Sequence, residues 1–144
     1  YLPYVVKGMD LSFSGLFTAA KNLAESIHSN SQYSLDDLAF SLQETAFSML
    51  TEVTERALAH TEKKEVLLTG GVAANKRLQE MISYISDEHN ARFEVVPLKF
   101  AGDNGAMIGW VGILKYLNSG PDEISETLIR PKERMDQIPI PWRD

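Results

Sequence analysis

Two short stretches of the chain bring together residue types that handle phosphate groups and metal ions. In Thr69-Gly70-Gly71-Val72-Ala73-Ala74-Asn75, the two glycines let backbone approach a ligand with no Cβ in the way. Free N–H groups at the start of a following helix attract an anionic phosphate. Asn75, which the spacing places one turn into that helix, carries both a donor and an acceptor for a nucleotide. A bare Gly-Gly pair more often makes only a tight strand-to-helix turn, with the asparagine solvated. The stretch lacks the third glycine of a dinucleotide fingerprint and the Gly-Lys-Ser/Thr of a P-loop, so neither of those chemistries applies.

The second stretch is Gly102-Asp103-Asn104-Gly105, ahead of an apolar helix. Asp103 there is either an N-cap, the commonest use of Asp at such a place, or a hard oxygen ligand for a metal ion, fixed on a rigid helix start. One carboxylate is not a site. The three histidines, His28, His60 and His89, lie far apart and show no closely spaced helical pair of the zinc-binding kind, so each reads as a surface or helix-end residue. A metal at Asp103 would take its other ligands from outside these residues. Ser12 and Ser14, in Asp10-Leu11-Ser12-Phe13-Ser14-Gly15, read as helix caps, because no His lies near in sequence to act as a base. Met9, Met49 and Met81 read as core filler. Gln43 and Glu44 belong to a solvated helix face or line an interface.

Composition bounds the rest. Fourteen Lys and Arg against twenty Asp and Glu leave a net charge of −6 over 144 residues, with no long basic run. Such a chain is no self-sufficient nucleic-acid clamp, since phosphate neutralisation needs clustered positive charge. A hydrophobic content of 44% supports one sizeable core, hence one domain or half of a larger one. The absence of cysteine removes disulfides, thiolate catalysis and thiolate metal sites, and is compatible with a reducing compartment. No apolar run approaches the about 20 residues that span a bilayer, and no basic region followed by an apolar stretch marks a signal peptide. Tyr1 opens directly onto a β-like run without an initiator Met, which gives the expectation that the chain begins inside a domain.

The elements that must position these residues follow from periodicity. Tyr4-Val5-Val6 predicts a short strand, and residues 10–15 a turn-rich run. Leu16, Ala20, Leu23, Ala24 and Ile27 recur at helical spacing until His28-Ser29-Asn30-Ser31. A longer helix begins at Ser34, where Ser34-Leu35-Asp36-Asp37 matches a capping box. Its stripe is Leu38, Leu42, Ala46, Met49, Leu50, Val53, Ala57 and Leu58, with Glu52, Glu55, Arg56, Glu62 and Lys63 on the wet face. Glu65-Val66-Leu67-Leu68-Thr69 predicts a strand buried on both faces, Leu78, Met81, Ile82 and Ile85 one side of a third helix, and Arg92-Phe93-Glu94-Val95-Val96 a second strand before Pro97. Strand, helix and strand over roughly thirty residues is the length of a βαβ crossover. A last helix from about Asp103 through Leu117 is apolar nearly all round, which predicts burial. Gly105, Gly109 and Gly112 each lower its propensity by about 1 kcal/mol, a cost that predicts close approach of another backbone or a ligand. From Gly120-Pro121 the prolines preclude a long element, and Trp142 is expected to tether the tail to the body.

Four motifs in order along the chain, Met9-Asp10-Leu11-Ser12-Phe13-Ser14-Gly15-Leu16, Ser41-Leu42-Gln43-Glu44-Thr45-Ala46-Phe47, Leu68-Thr69-Gly70-Gly71-Val72-Ala73-Ala74-Asn75 and Gly102-Asp103-Asn104-Gly105-Ala106-Met107-Ile108, resemble the TsaD family. That family supplies the catalytic subunit of tRNA threonylcarbamoyladenosine synthesis. The wording is similar to the archaeal and eukaryotic branch, which works within the KEOPS complex. The resemblance implies an actin-like, Hsp70-like, sugar-kinase-like (ASKHA) α/β fold of two lobes with a nucleotide between them. This chain resembles the C-terminal half: residues 1–120 the second lobe, its sheet flanked by helices, and residues 121–144 a tail packed on it.

By the resemblance, Gly70, Gly71 and Asn75 hold the adenylate or an ATP-type nucleotide. Asp103 ligates one divalent metal ion, be it iron, zinc or magnesium. The His pair that completes the family's metal site and the first phosphate loop are absent, and no residue here is an evident general base or catalytic group. The implied reaction transfers threonylcarbamoyl from threonylcarbamoyl-adenylate to the adenosine beside the anticodon of tRNAs reading codons that begin with A, in the cytoplasm. The implied partners are tRNA, a kinase-like ATPase and a small dimerising subunit, with no membrane. An ATP-dependent phosphotransferase or carbamoyltransferase of the same superfold, and a noncatalytic scaffold subunit, remain alternatives. A polypeptide of these residues alone is expected to be inactive, and tRNA modification by it in a nucleoside mass-spectrometric assay would contradict that expectation.

Overall fold

Strand pairing decides the layout of residues 1–102. The computed structural model describes residues 1–30, 33–102, 104–134 and 137–142, the side chains of 28–30 excepted. Its backbone gathers into two compact units, residues 1–102 and 103–144.

The first unit opens with a hairpin in which β1 (Val6–Lys7) pairs antiparallel with β2 (Asp10–Leu11). Asp10 and Leu11, expected in a turn, are thus a strand; the turn is the two residues before them. Gly8 there has φ 63°, which a residue with Cβ adopts only under strain. Tyr4 Oη donates to Glu52 Oε2 at 2.5 Å, Arg56 donates to the Gly8 carbonyl at 2.7 Å, and Arg56 pairs with Glu52. Glu52 is accordingly half-buried rather than on a wet face. Partial burial and the hydrogen bond to Glu52 push the Tyr4 hydroxyl up to about 12.

Helix α1 (Ser14–Asn30) buries Leu16 and Ala20, and α2 (Leu35–Thr61) follows. The capping box forms as its sequence requires: Ser34 Oγ accepts from Asp37 N at 3.1 Å, and the Asp37 carboxylate accepts from Ser34 N at 2.9 Å. Glu62 closes the helix in the left-handed region at φ 55°. Met49 and Leu58 on the expected stripe are buried, and so is Phe47 beside it. The stripe is wider than its periodicity suggested because α2 packs against two helices, α1 and α3 (Lys76–Glu88).

Strands β3 (Glu65–Leu68) and β4 (Arg92–Val95) pair in parallel with Glu65 opposite Arg92 and Leu68 opposite Val95. α3 forms the crossover between them, so the βαβ expectation holds. Phe47 and Leu58 from α2 meet Leu78, Ile82 and Ile85 from α3, with Val66, Leu68 and Phe93 of the strands packed against them. Both helices lie on one face of the pair. The expectation of a strand buried on both faces is therefore corrected: Leu67, which points to the other side, is 66% exposed, because within residues 1–102 the described chain provides one covering layer and not two. After β4, the single turn α4 (Leu98–Ala101) packs on the 3-10 turn Gly71–Ala74.

In the second unit, α5 (Gly105–Ser119) ends at Gly120, φ 76°, followed by a 3-10 turn at Ile124–Glu126 and the proline-punctuated tail. Asn104, not Asp103, holds the N-cap of α5, its Oδ1 accepting from Ala106 N at 2.9 Å. Asp103 lies outside the described residues. No residue of α5 is buried, which corrects the expectation of a buried helix. One helix, one short turn and a tail offer too little chain to enclose a helix apolar on every side. A Cβ at Gly105, Gly109 or Gly112 would meet nothing within 4 Å, so the close approach those glycines predicted is not made within this unit.

Two hydrogen bonds from Ser34 hold the Asp37 carboxyl below the usual carboxylate range. A depressed folded value stabilises the protein above about pH 4 and fades as pH falls through it. Ser34→Ala is expected to lower the unfolding free energy by about 1 kcal/mol at neutral pH, measured by urea denaturation. The difference from the parent should narrow below about pH 4.

Candidate functional site

A parallel strand pair needs a long connection, and its first residues leave from the C-terminal end of β3, the edge at which α/β sheets present ligand-binding loops. Gly70 sits at that exit with φ 98° and ψ 169°, a region essentially reserved for glycine. Gly71 opens the 3-10 turn that follows, with Ala73 N bonded to the Gly70 carbonyl at 3.1 Å and Asn75 N to the Val72 carbonyl at 3.0 Å. The first N–H groups of such a turn have no acceptor within it. Nothing lies within 4 Å of where a Gly71 Cβ would be. The two glycines thus differ: the backbone requires the first, and the second keeps open space beside the N–H groups.

Asn75 is the N-cap of α3, not a residue one turn into it as the spacing suggested, because the 3-10 turn takes up the intervening residues. Its Oδ1 accepts from Arg77 N at 2.9 Å and Leu78 N at 3.3 Å. Its Nδ2 donates to Gln43 Oε1 of α2 at 3.2 Å. The acceptor side of the amide is therefore committed to the helix, and what Asn75 can offer a ligand is a donor.

Beside the turn lies a cleft of about 370 Å³, lined by Ala74, Lys76, Gln79, Val96, Pro97 and Leu98 among others. Lys76 Nζ, 3.3 Å from Gln79 Oε1, brings a cation to it. Sequence reasoning passed over Lys76. The available signal was a Lys at the first position of a helix, where the macrodipole disfavours a positive charge. Arg77, by contrast, is engaged: Nε and Nη2 each lie 2.9 Å from a Glu44 carboxylate oxygen, and Nη1 is 3.4 Å from Glu80. The hydrogen bonds from Arg77 lower the Glu44 carboxyl below its ordinary range, and Glu44 raises the guanidinium in turn. Glu44 is thus an interhelical anchor on a partly solvated face.

Gly70, Gly71 and Asn75 come together in one loop at the strand ends, and α4, which packs on that loop, leads to Gly102. Asp103 lies outside the described residues. His60 is in the last turn of α2 and His89 caps the end of α3, 3.6 Å from Glu55. Among the described residues no three His, Cys, Asp or Glu side chains gather as metal ligands. These residues do not by themselves build a metal site. No described helix is long and apolar enough to cross a membrane.

Comparison with known proteins bears on this geometry. Residues 1–110 match the family described as TsaD, tRNA N6-adenosine threonylcarbamoyltransferase. The chain is 54% identical, over 98% of its length, to a probable bifunctional tRNA threonylcarbamoyladenosine biosynthesis protein of Methanothermobacter thermautotrophicus, covering 26% of that protein. It is 51% identical, over 99% of its length, to the tRNA N6-adenosine threonylcarbamoyltransferase of Archaeoglobus fulgidus, covering 42%. The probable bifunctional protein of the same description in Methanocaldococcus jannaschii is 52% identical over 98% of the chain and 25% of that protein. The chain therefore spans between a quarter and about two fifths of the length of these relatives.

The differing demands on the two glycines are testable. Gly70→Ala, forced into a glycine-only region, is expected to cost about 1–3 kcal/mol. Gly71→Ala, with free space and no positive φ, should stay within about 0.5 kcal/mol of the parent. Urea titration of the two variants reads the contrast.

Proposed function

The chain belongs to the TsaD family of tRNA N6-adenosine threonylcarbamoyltransferases, and from that premise we propose that it forms the C-terminal, nucleotide-holding part of such an enzyme. The observation that carries the reading is the glycine-only backbone at Gly70, which opens onto the Asn75-capped helix at the C-terminal edge of a parallel strand pair. An α/β structure with helices beside small sheets suits the family's ASKHA-type fold. In that fold this chain would be the second lobe, with residues 121–144 as its tail.

In this proposal Gly70 and Gly71 bring backbone N–H groups to the AMP portion of threonylcarbamoyl-adenylate, and the Asn75 amide donates to it. Lys76, at the adjoining cleft, adds positive charge near the phosphate. The exocyclic amine of the tRNA adenosine attacks the threonylcarbamoyl carbonyl. The bond from that carbon to the phosphate oxygen breaks, AMP leaves, and the amine gives up a proton. What the loop contributes is position: it fixes the leaving group while the acceptor approaches. One divalent metal ion, whether iron, zinc or magnesium, would take Asp103 as its ligand from this chain and its remaining ligands from elsewhere in the enzyme.

The proposed partners are tRNA, a kinase-like ATPase and a small dimerising subunit of a KEOPS-type complex, acting in the cytoplasm. Two features support help from partners in holding RNA. The chain carries a net charge of −6, and Arg77 is neutralised by Glu44.

The test is nucleoside mass spectrometry of tRNA incubated with threonylcarbamoyl-adenylate, the full-length enzyme and its partners. Threonylcarbamoyladenosine is expected, and Asp103→Ala, if folded, should reduce it to about a tenth or less. Phosphorylated product from ATP without threonylcarbamoyladenosine would overturn the reading in favour of a phosphotransferase.

A further inference from the structure

The side chain of Asn75 is held at two points, one on each side of its amide. Oδ1 faces two backbone N–H groups, those of Arg77 and Leu78, and backbone N–H can only donate. The amide orientation is therefore fixed without ambiguity: the atom facing α3 is oxygen and the atom facing α2 is nitrogen. It follows that the Gln43 atom 3.2 Å from Nδ2 is an acceptor, Oε1. The helix start thus dictates which end of the Asn75 amide is oxygen, and Asn75 dictates the same for Gln43.

The capping bonds alone leave the amide plane some latitude, because the terminal torsion of asparagine is broad. The two capping bonds, at 2.9 and 3.3 Å, settle which end of the amide is oxygen and restrict the torsion only within the tolerance of hydrogen-bond geometry. Gln43 supplies a second point and so narrows the plane to one setting. Nδ2 carries two hydrogens; one is directed at Gln43, and the other has no protein acceptor among the described residues. That remaining N–H is what the site can give a ligand, and its direction depends on Gln43. The neighbouring Glu44–Arg77 pair joins the same two helices, which keeps Gln43 in reach of Asn75.

We propose that Gln43 is a positioning residue for the nucleotide element: by accepting one hydrogen of the Asn75 amide, it aims the other at an acceptor atom of the adenylate. This rests on the reading of Asn75 as a nucleotide contact given above. Gln43 lies 32 residues before Asn75, on α2, and is not itself asked to touch the substrate.

The test is steady-state kinetics of the full-length enzyme with its partners, varying threonylcarbamoyl-adenylate, on Gln43→Met, Asn75→Ser and the double variant. Serine keeps the capping acceptor and removes the amide donor. Gln43→Met is expected to raise KM about five- to tenfold with kcat within about twofold of the parent. If Gln43 acts through Asn75, the double variant should match Asn75→Ser alone. Gln43→Glu, which keeps an acceptor at the same reach, should restore most of the lost KM and also serves if the methionine variant does not fold.

Multiplicative effects in the double variant would overturn the proposal. So would an unchanged KM in Gln43→Met beside a raised one in Asn75→Ser, which leaves the nucleotide reading standing. An unchanged KM in Asn75→Ser would remove the nucleotide reading of Asn75 and the role of Gln43 with it.

Discussion

Residues 1–102 depend on the parallel pairing of β3 with β4. Two parallel strands cannot be joined by a tight turn, so the chain must travel back along the pair before the second strand begins. The return is α3, and its apolar side, Leu78, Ile82 and Ile85, closes over Val66, Leu68 and Phe93 with Phe47 and Leu58 of α2. Burial of that cluster is non-directional and scales with area, but the pairing register makes it specific. A slip by one residue would turn Val66 and Leu68 away from the helices and Leu67 toward them.

The site is a consequence of that constraint. Because α3 must start where β3 ends, its N-terminus and the 3-10 turn before it lie at the C-terminal edge of the strands, where Asn75 caps Arg77 N and Leu78 N and the space beside Gly71 is open. Gly70 takes the backbone conformation that lets the chain leave the strand. The end of β4 contributes Val95, the two residues after it Val96 and Pro97, and α4 contributes Leu98, to the wall of the adjoining cleft. One strand pair therefore sets both the turn and the surface opposite it.

Polar contacts then turn a generic strand-to-helix exit into a defined one. Two consecutive residues of α2, Gln43 and Glu44, meet Asn75 and Arg77 at the start of α3. The Glu44–Arg77 pair is solvent-accessible and worth little in stability. Its bidentate geometry nonetheless orients one helix start against the other helix. It also engages the Arg77 cation, whereas Lys76 lines the cleft. Elsewhere in the unit, Tyr4, Glu52 and Arg56 tie the N-terminal hairpin to α2.

Much of this was determined locally and so could be read from the chain alone: the capping box at Ser34, the apolar side of α3 and the glycine turn each rest on residues close in sequence, and the βαβ unit on three such patterns in a row. What only the tertiary structure decided are the features set by distant neighbours. Leu67 follows the same apolar pattern as Val66 and Leu68, yet it is exposed because α2 and α3 cover one face only. Phe47 is buried because α2 has helices on two sides. The apolar run of α5 predicts burial from its composition, but burial needs a covering layer, and composition cannot supply one. Asn75 was legible as a polar residue near a helix start; that its oxygen caps the helix and its nitrogen reaches Gln43 required the fold, since hydrogen bonds between residues 32 apart leave no local pattern in a sequence.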